Sequence, residues 1–166
     1  MTPAEAFDRY HRAVFSFAYR LTQHGDLAED LTQDCFLTLL RAPHRFDEAR
    51  GDMKTFLFAI TRNLALKHYR DRRLEEPIDE ADPPAAIGPD ANRDVSSAVA
   101  GAVAALPHLQ QEALILFEYE GFTLEEIAQV TGADVGAVKS RLHRARERLR
   151  VTVAPYRQLG DAYGRV

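Results

Sequence analysis

Between Leu74 and Asp94 the chain carries four prolines (Pro77, Pro83, Pro84 and Pro89) and seven acids against one base, Arg93, a local net charge of −6. Proline blocks helix, like charges extend the chain, and the segment has few large apolar groups to bury. No hydrophobic core can run through such a stretch. It predicts an acidic linker of roughly 20 residues which, as a flexible coil, spans about 25 Å on average. The 166-residue chain is therefore expected to fold as two small units, residues 1–73 and 95–152, with 74–94 as the linker and 153–166 as a short tail.

Both flanks read as helix. Phe7, Tyr10, Val14, Phe17, Ala18 and Leu21 recur at spacings of three and four, an amphipathic stripe. His24-Gly25 interrupts it, and Asp26 with Glu29 predicts the cap of a second helix. That helix carries Leu27, Leu31, Cys35, Thr38 and Leu39 on one face, with Phe36 and Leu40 on another, and Pro43 ends it. After a polar loop over Arg45–Asp52, a long helix has Met53, Phe56, Leu57, Ile60 and Leu64 as its expected core stripe. Beyond the linker the period resumes with Val95, Val99, Ala102, Val103 and Leu106, and Pro107 can start a further helix. Thr123 with Glu126 forms a capping box, Thr131-Gly132-Ala133 stops that short helix, and Asp134 caps a last one over Val135–Arg150. No run alternates with period two. The expected fold class is all-α, a helical bundle and a helix-turn-helix unit joined by the linker.

The formal net charge of −4 at first argues against a nucleic-acid partner. The total hides its distribution. Lys139–Arg150 holds six bases and one acid, net +5, and Arg62–Arg73 holds five bases and one acid, net +4. In the last helix Val135, Val138, Leu142, Ala145 and Leu149 share the inward face. Gly136, Ser140, His143, Arg144 and Glu147 lie opposite, with Lys139 on the flank. Small and hydrogen-bonding groups near the start of a helix suit entry into a DNA major groove. In the earlier basic segment Asn63, Lys67 and Arg70 share a face, Tyr69 is interleaved, and Phe56 and Phe58 lie upstream. Bases with aromatics suit unpaired nucleic acid, although a basic helix end also complements the helix dipole. Asp30, Gln33 and Asp34, beside Leu37, make an acidic face with an apolar edge. That is either a solvated surface or a dock for a basic protein.

Catalytic signals are poor. The chain lacks a glycine-rich phosphate loop, a zinc-binding His pair and a nucleophile elbow, and its six His are scattered. The single cysteine, Cys35, lies on an apolar stripe and reads as a small core residue. No cofactor and no metal are expected, nor an enzyme. No apolar run approaches the ~20 residues that span a bilayer, and MTPAEAFDRYHR is unlike a signal peptide. A cytoplasmic protein is expected.

Four stretches in this order resemble the extracytoplasmic-function (ECF) group of bacterial RNA polymerase sigma factors, in the sigma-70 family. They are AEDLTQDCFLTLL, RFDEARGDMKTFLFAITRNLALKHYRDRR, the acidic linker, and LPHLQQEALILFEYEGFTLEEIAQVTGADVGAVKSRLHRARERLR. The resemblance implies a promoter-specificity subunit. Its partners would be promoter DNA and core RNA polymerase, met at the clamp coiled coil and the flap. The first half resembles region 2, where Asp30, Gln33, Asp34 and Leu37 match the helix that docks on the clamp. The loop from Phe46 to Lys54, with Asn63, Lys67 and the adjoining Arg70, matches the part that captures a flipped-out base of the minus-ten element. Extracting a base costs a few kcal/mol, which a protein pocket must offset. The second half resembles region 4, where Lys139, Ser140, His143 and Arg144, with Arg141 beside them, match the positions that read the minus-thirty-five element. The linker matches the segment that runs toward the RNA exit path, where its charge could imitate RNA phosphates.

The sequence departs from the family where many members have Trp, at Phe56 and Leu40, which implies weaker stacking near the melted strand. The tail after Arg150 is too short for an appended sensory domain, so regulation is expected from a separate anti-sigma protein or from expression. Two other readings remain open at this point, a stand-alone dimeric helix-turn-helix regulator and a helical adaptor for acidic proteins. The promoter sequence, the inducing signal and the packing of the two halves are not written in the sequence.

Overall fold

A computed structural model describes residues 1–75 and 95–163, with side chains for 1–72 and 96–155. The expected linker, apart from its first two residues, lies outside them. The described residues form helices and no strand.

Helix α1 spans Pro3–Thr22, α2 Gly25–Arg41 and α3 Met53–Glu75. The start of α1 is written locally. Thr2 Oγ1 accepts from the Glu5 N–H, Glu5 Oε2 accepts from the Thr2 N–H, and Pro3 fills the first helical position. It ends at Gln23, a non-glycine residue in the left-handed region (φ 55°), whose N–H reaches Tyr19 O at 2.7 Å. The cap of α2 corrects the sequence reading. His24, not Asp26, is the N-cap, its Nδ1 accepting from the Leu27 N–H at 3.2 Å. Asp26 sits inside the first turn, where its charge still favours the helix N-terminus. A short 3-10 turn, Pro43–Arg45, follows, and Asp52 Oδ1 accepts from the Thr55 N–H to open α3.

These three helices pack on one another around Val14, Phe17, Leu31, Cys35, Leu39, Leu57 and Phe58. One expected core position, Phe56, gives way to Phe58, and the second face of α2 is not fully covered. Phe58 is fully buried, while Phe56 is half-buried, and Leu40 is 61% exposed instead of covered. Helical spacing defines a stripe only to within one flank, and the packing partner selects the member that goes inside.

The second half holds α4 (Val95–Ala104), α5 (His108–Leu114), α6 (Leu124–Thr131) and α7 (Val135–Tyr163). Pro107 caps α5, which runs on as a π turn over Ile115–Tyr119. The wider turn buries Ile115 and Leu116 and returns the chain through the bonds Glu120 N–H to Ile115 O and Phe122 N–H to Leu116 O. The Thr123–Glu126 capping box forms as read, and Gly132 closes α6 in the left-handed region at φ 71°. Asp134 Oδ1 accepts from the Ala137 N–H at 2.7 Å and caps α7. That helix continues past Arg150 to Tyr163, through Pro155, where a tail was expected. A long nucleated helix extends without an apolar stripe because adding a residue costs far less than starting a helix. Helices α4, α5 and α6 pack on α7.

The halves share one core. Phe58 of α3 stacks on Phe17 at 4.6 Å and meets Phe122 of the second half at 5.0 Å, and α3 packs on α6.

Candidate nucleic-acid interface

The recognition element rests on α7. Val138, Leu142 and Ala145 are buried, at 2% exposure or less. That turns Lys139, Ser140, His143 and Arg144 to solvent, with Arg141 half-buried. Helical geometry makes the two faces inseparable. Arg146 and Arg150 are drawn into protein contacts. Arg146 lies over the Phe117 ring at 5.3 Å and pairs with Glu118 at 3.4 Å, while Arg150 pairs with Glu147 at 3.0 Å.

On α3, Asn63, Lys67 and Arg70 are exposed and form one polar row. At its N-terminal end a cavity of about 410 Å³ opens between the 45–52 loop and the helix. Phe46 and Phe56 flank it, their ring centroids 5.4 Å apart. Phe56, assigned to the core by its spacing, is therefore a wall of the cavity. Phe58, considered as a stacking aromatic, is interior. Gln129 of α6 also lines this cavity, and its Oε1 stands 2.9 Å from where a Cβ on Gly51 would be.

Lys54 is engaged by the other half. Its Nζ lies 3.9 Å from Glu120 Oε2 and donates to Glu120 O at 3.5 Å, close to the rings of Phe58 and Phe122. Arg20 Nη1 meets the same carboxylate at 3.4 Å. Burial pushes the Glu120 carboxyl up, and Lys54 and Arg20 offset part of that. Arg62, counted among the bases of α3, donates through Nε and Nη2 to Glu112 at 2.8 and 2.9 Å. Glu112 is fully buried. Burial favours its neutral form, but the contacts from His108 and Arg62 outweigh it and hold the carboxyl below the ordinary range. Partners 50 to 100 residues apart in the chain leave no local signal, so neither Glu112 nor Glu120 could be singled out beforehand.

Asp30, Gln33 and Asp34 lie exposed in a row on α2, with the apolar Leu37 42% exposed beside them. Cys35 is buried, its thiol pushed up to about 11 by burial, and its Sγ contacts Leu57 O, the setting of an unreactive core thiol. Among the described residues no cluster of His, Cys, Asp or Glu could hold a metal, and no helix is long and apolar enough to cross a membrane.

Comparison with known proteins bears on these surfaces. The family described as Sigma-70 region 2 matches residues 6–75, and Sigma-70, region 4 matches 96–149. The ECF RNA polymerase sigma factor EcfG of Rhodopseudomonas palustris is 38% identical over 142 residues, covering 81% of this chain and 75% of the relative. The chain belongs to the ECF group of RNA polymerase sigma factors. This sigma factor is also 31% identical over 150 residues to RNA polymerase sigma factor CarQ of Myxococcus xanthus, covering 88% of this chain and 86% of CarQ. Among solved structures it resembles the sigma factor RpoE of Bartonella quintana, crystallised with the anti-sigma factor NepR. The TM-score is 0.73 and the identity 30%, over 91% of this chain and 96% of RpoE. The matched regions hold the acidic row of α2, the polar row of α3 and the exposed face of α7.

Proposed function

We propose that this sigma factor directs core RNA polymerase to its promoters through three faces and catalyses no reaction itself. The observation that carries the reading is α7, with a buried back and an exposed front of Lys139, Ser140, His143 and Arg144. Beside Arg141, these residues read the minus-thirty-five element in the major groove. Asp30, Gln33, Asp34 and Leu37 dock the acidic, apolar-edged face of α2 on the clamp coiled coil of the polymerase. Phe46, Lys54, Asn63, Lys67 and Arg70 take the unpaired minus-ten strand, a base entering beside Phe46 and Phe56 while the cations meet phosphates. The second half also meets the polymerase flap. The functional units are 1–73 and 95–152, with 74–94 spanning between their sites. The protein works in the cytoplasm, where the polymerase is. The relative RpoE is bound by an anti-sigma factor, and a separate protein of that kind is the regulator we propose here.

Run-off transcription with purified core polymerase from the same species tests the reading. A promoter-dependent transcript is expected only when this chain is present. Duplex binding by the chain alone, with no transcript, makes it a stand-alone regulator. Failure of both leaves the adaptor reading.

A further inference from the structure

The second half turns acids toward the Lys54 end of the minus-ten face and toward Arg62, Arg20 and Thr55 beside it, while Asn63, Lys67 and Arg70 stay exposed. Glu112 takes Arg62, Glu120 takes Lys54 and Arg20, and Glu126 Oε2 accepts from the Thr55 hydroxyl at 3.4 Å. Gln129 adds an amide at the wall of the cavity between Phe46 and Phe56. Carboxylates on cations and an amide beside an aromatic-flanked cavity are the groups an unpaired strand would bring, namely phosphates and a base edge. The front of α7 stays exposed. The masking is therefore one-sided.

We propose that the helix-turn-helix half is an internal acidic plug of the Lys54 end of the minus-ten face, competing with unpaired DNA for Lys54, Arg62 and the Phe46–Phe56 cavity while the polar row of Asn63, Lys67 and Arg70 and the duplex reader stay free. The inference rests on the reading that this face takes the minus-ten strand. The free chain then meets duplex with α7 first. Lys54, Arg62 and the Gln129 side of the cavity become available only when the halves separate, while Asn63, Lys67 and Arg70 are exposed throughout, and the strand affinity of the complete face is reduced by the fraction of time the halves are closed.

The Lys54–Glu120 pair supplies the test. The chain has three lysines, Lys54, Lys67 and Lys139, so products of zero-length carbodiimide coupling can be assigned by peptide mass. The free protein should give a Lys54–Glu120 amide. A random single-stranded DNA pool of about 12 nucleotides should suppress that amide in proportion to strand bound, and duplex DNA of equal length should not. Absence of the amide in the free protein overturns the plug. An amide that persists while the strand is seen to bind by anisotropy overturns it as well, but leaves the strand-binding reading in place.

A second arm uses Glu112→Gln, with the equal charge change Asp8→Asn on the exposed surface of α1 as control. Glu112→Gln should bind the strand about 5- to 30-fold more tightly than wild type, and Asp8→Asn should stay near wild type. Equal affinities for the two variants refute the plug. No strand binding by wild type or either variant, with the amide intact, removes the minus-ten reading and the competition with it.

Discussion

Replacing Arg62 by Met strands the Glu112 carboxylate. Glu112 is fully buried and takes two hydrogen bonds from Arg62, at 2.8 and 2.9 Å. Removing one partner of a buried pair costs about 3–5 kcal/mol, because the remaining charge keeps its desolvation cost without compensation. Three escapes place this site near the lower end, about 3 kcal/mol. His108 Nε2 still lies 3.3 Å from Glu112 Oε2, although off the line of a well-formed hydrogen bond. The carboxyl can take up a proton, and the halves can separate. Urea unfolding followed by circular dichroism, at neutral pH and at about pH 5, measures the loss and its sign.

In the wild type the folded pKa of Glu112 lies below its unfolded value. Its contribution is therefore complete above the ordinary carboxylate range and is lost as pH falls through the folded value. In Arg62→Met, burial dominates and raises the folded pKa, so stability from this site should rise as pH falls toward the ordinary range. Arg62→Met with Glu112→Leu should recover most of the loss, since two apolar groups strand no charge. A loss below about 1 kcal/mol at neutral pH, or a double variant no more stable than the single one, would refute the buried pair between the halves.

Other expectations are simpler. Arg144→Ala should weaken minus-thirty-five recognition by the holoenzyme by about 1–3 kcal/mol in duplex binding; a loss uniform across promoter sequences would mean a phosphate contact instead of base readout. Asp30→Arg should abolish core polymerase binding in a pull-down while leaving the helical content intact, because the side chain is exposed; unchanged affinity removes the clamp-docking role. Thr123→Ala deletes the acceptor for the Glu126 N–H and should cost about 1 kcal/mol, seen as a drop of about 2–4 °C in melting temperature. A melt identical to wild type would show that α6 is held by packing alone.

Much of the candidate site was legible in local pattern. The inward residues of α7 sit on one stripe, and the outward set follows from it without reference to any other part of the chain. The Thr123–Glu126 box, the Gly132 stop and the Asp134 cap are decided within a few residues of one another, where backbone donors need partners and the sequence supplies them. Local competition already blurred the start of α2. His24 and Asp26 can both cap, and the geometry after the left-handed Gln23 selected the imidazole. The π turn at Ile115–Tyr119 left no mark in spacing, because one extra residue per turn changes a stripe less than the scatter of apolar positions does. Phe56 and Phe58 lie two residues apart, and only the positions of Phe17 and Phe122 decided which went inside.

The division between sequence and structure therefore follows distance along the chain. Helix positions, caps, the acidic proline-rich break and the two basic segments are short-range properties, fixed by hydrogen bonds and periodicity within a turn or two. The sequence by itself determined most of those, the cap of α2 and the end of α7 excepted, together with the faces that carry the candidate residues. What Lys54 and Arg62 touch in the free protein was decided by tertiary structure alone. Their partners Glu120 and Glu112 lie 66 and 50 residues away, on the far side of the acidic proline-rich stretch. Such a pairing depends on how two finished surfaces match in shape and charge, and no periodicity in either half records the face that the other half will cover.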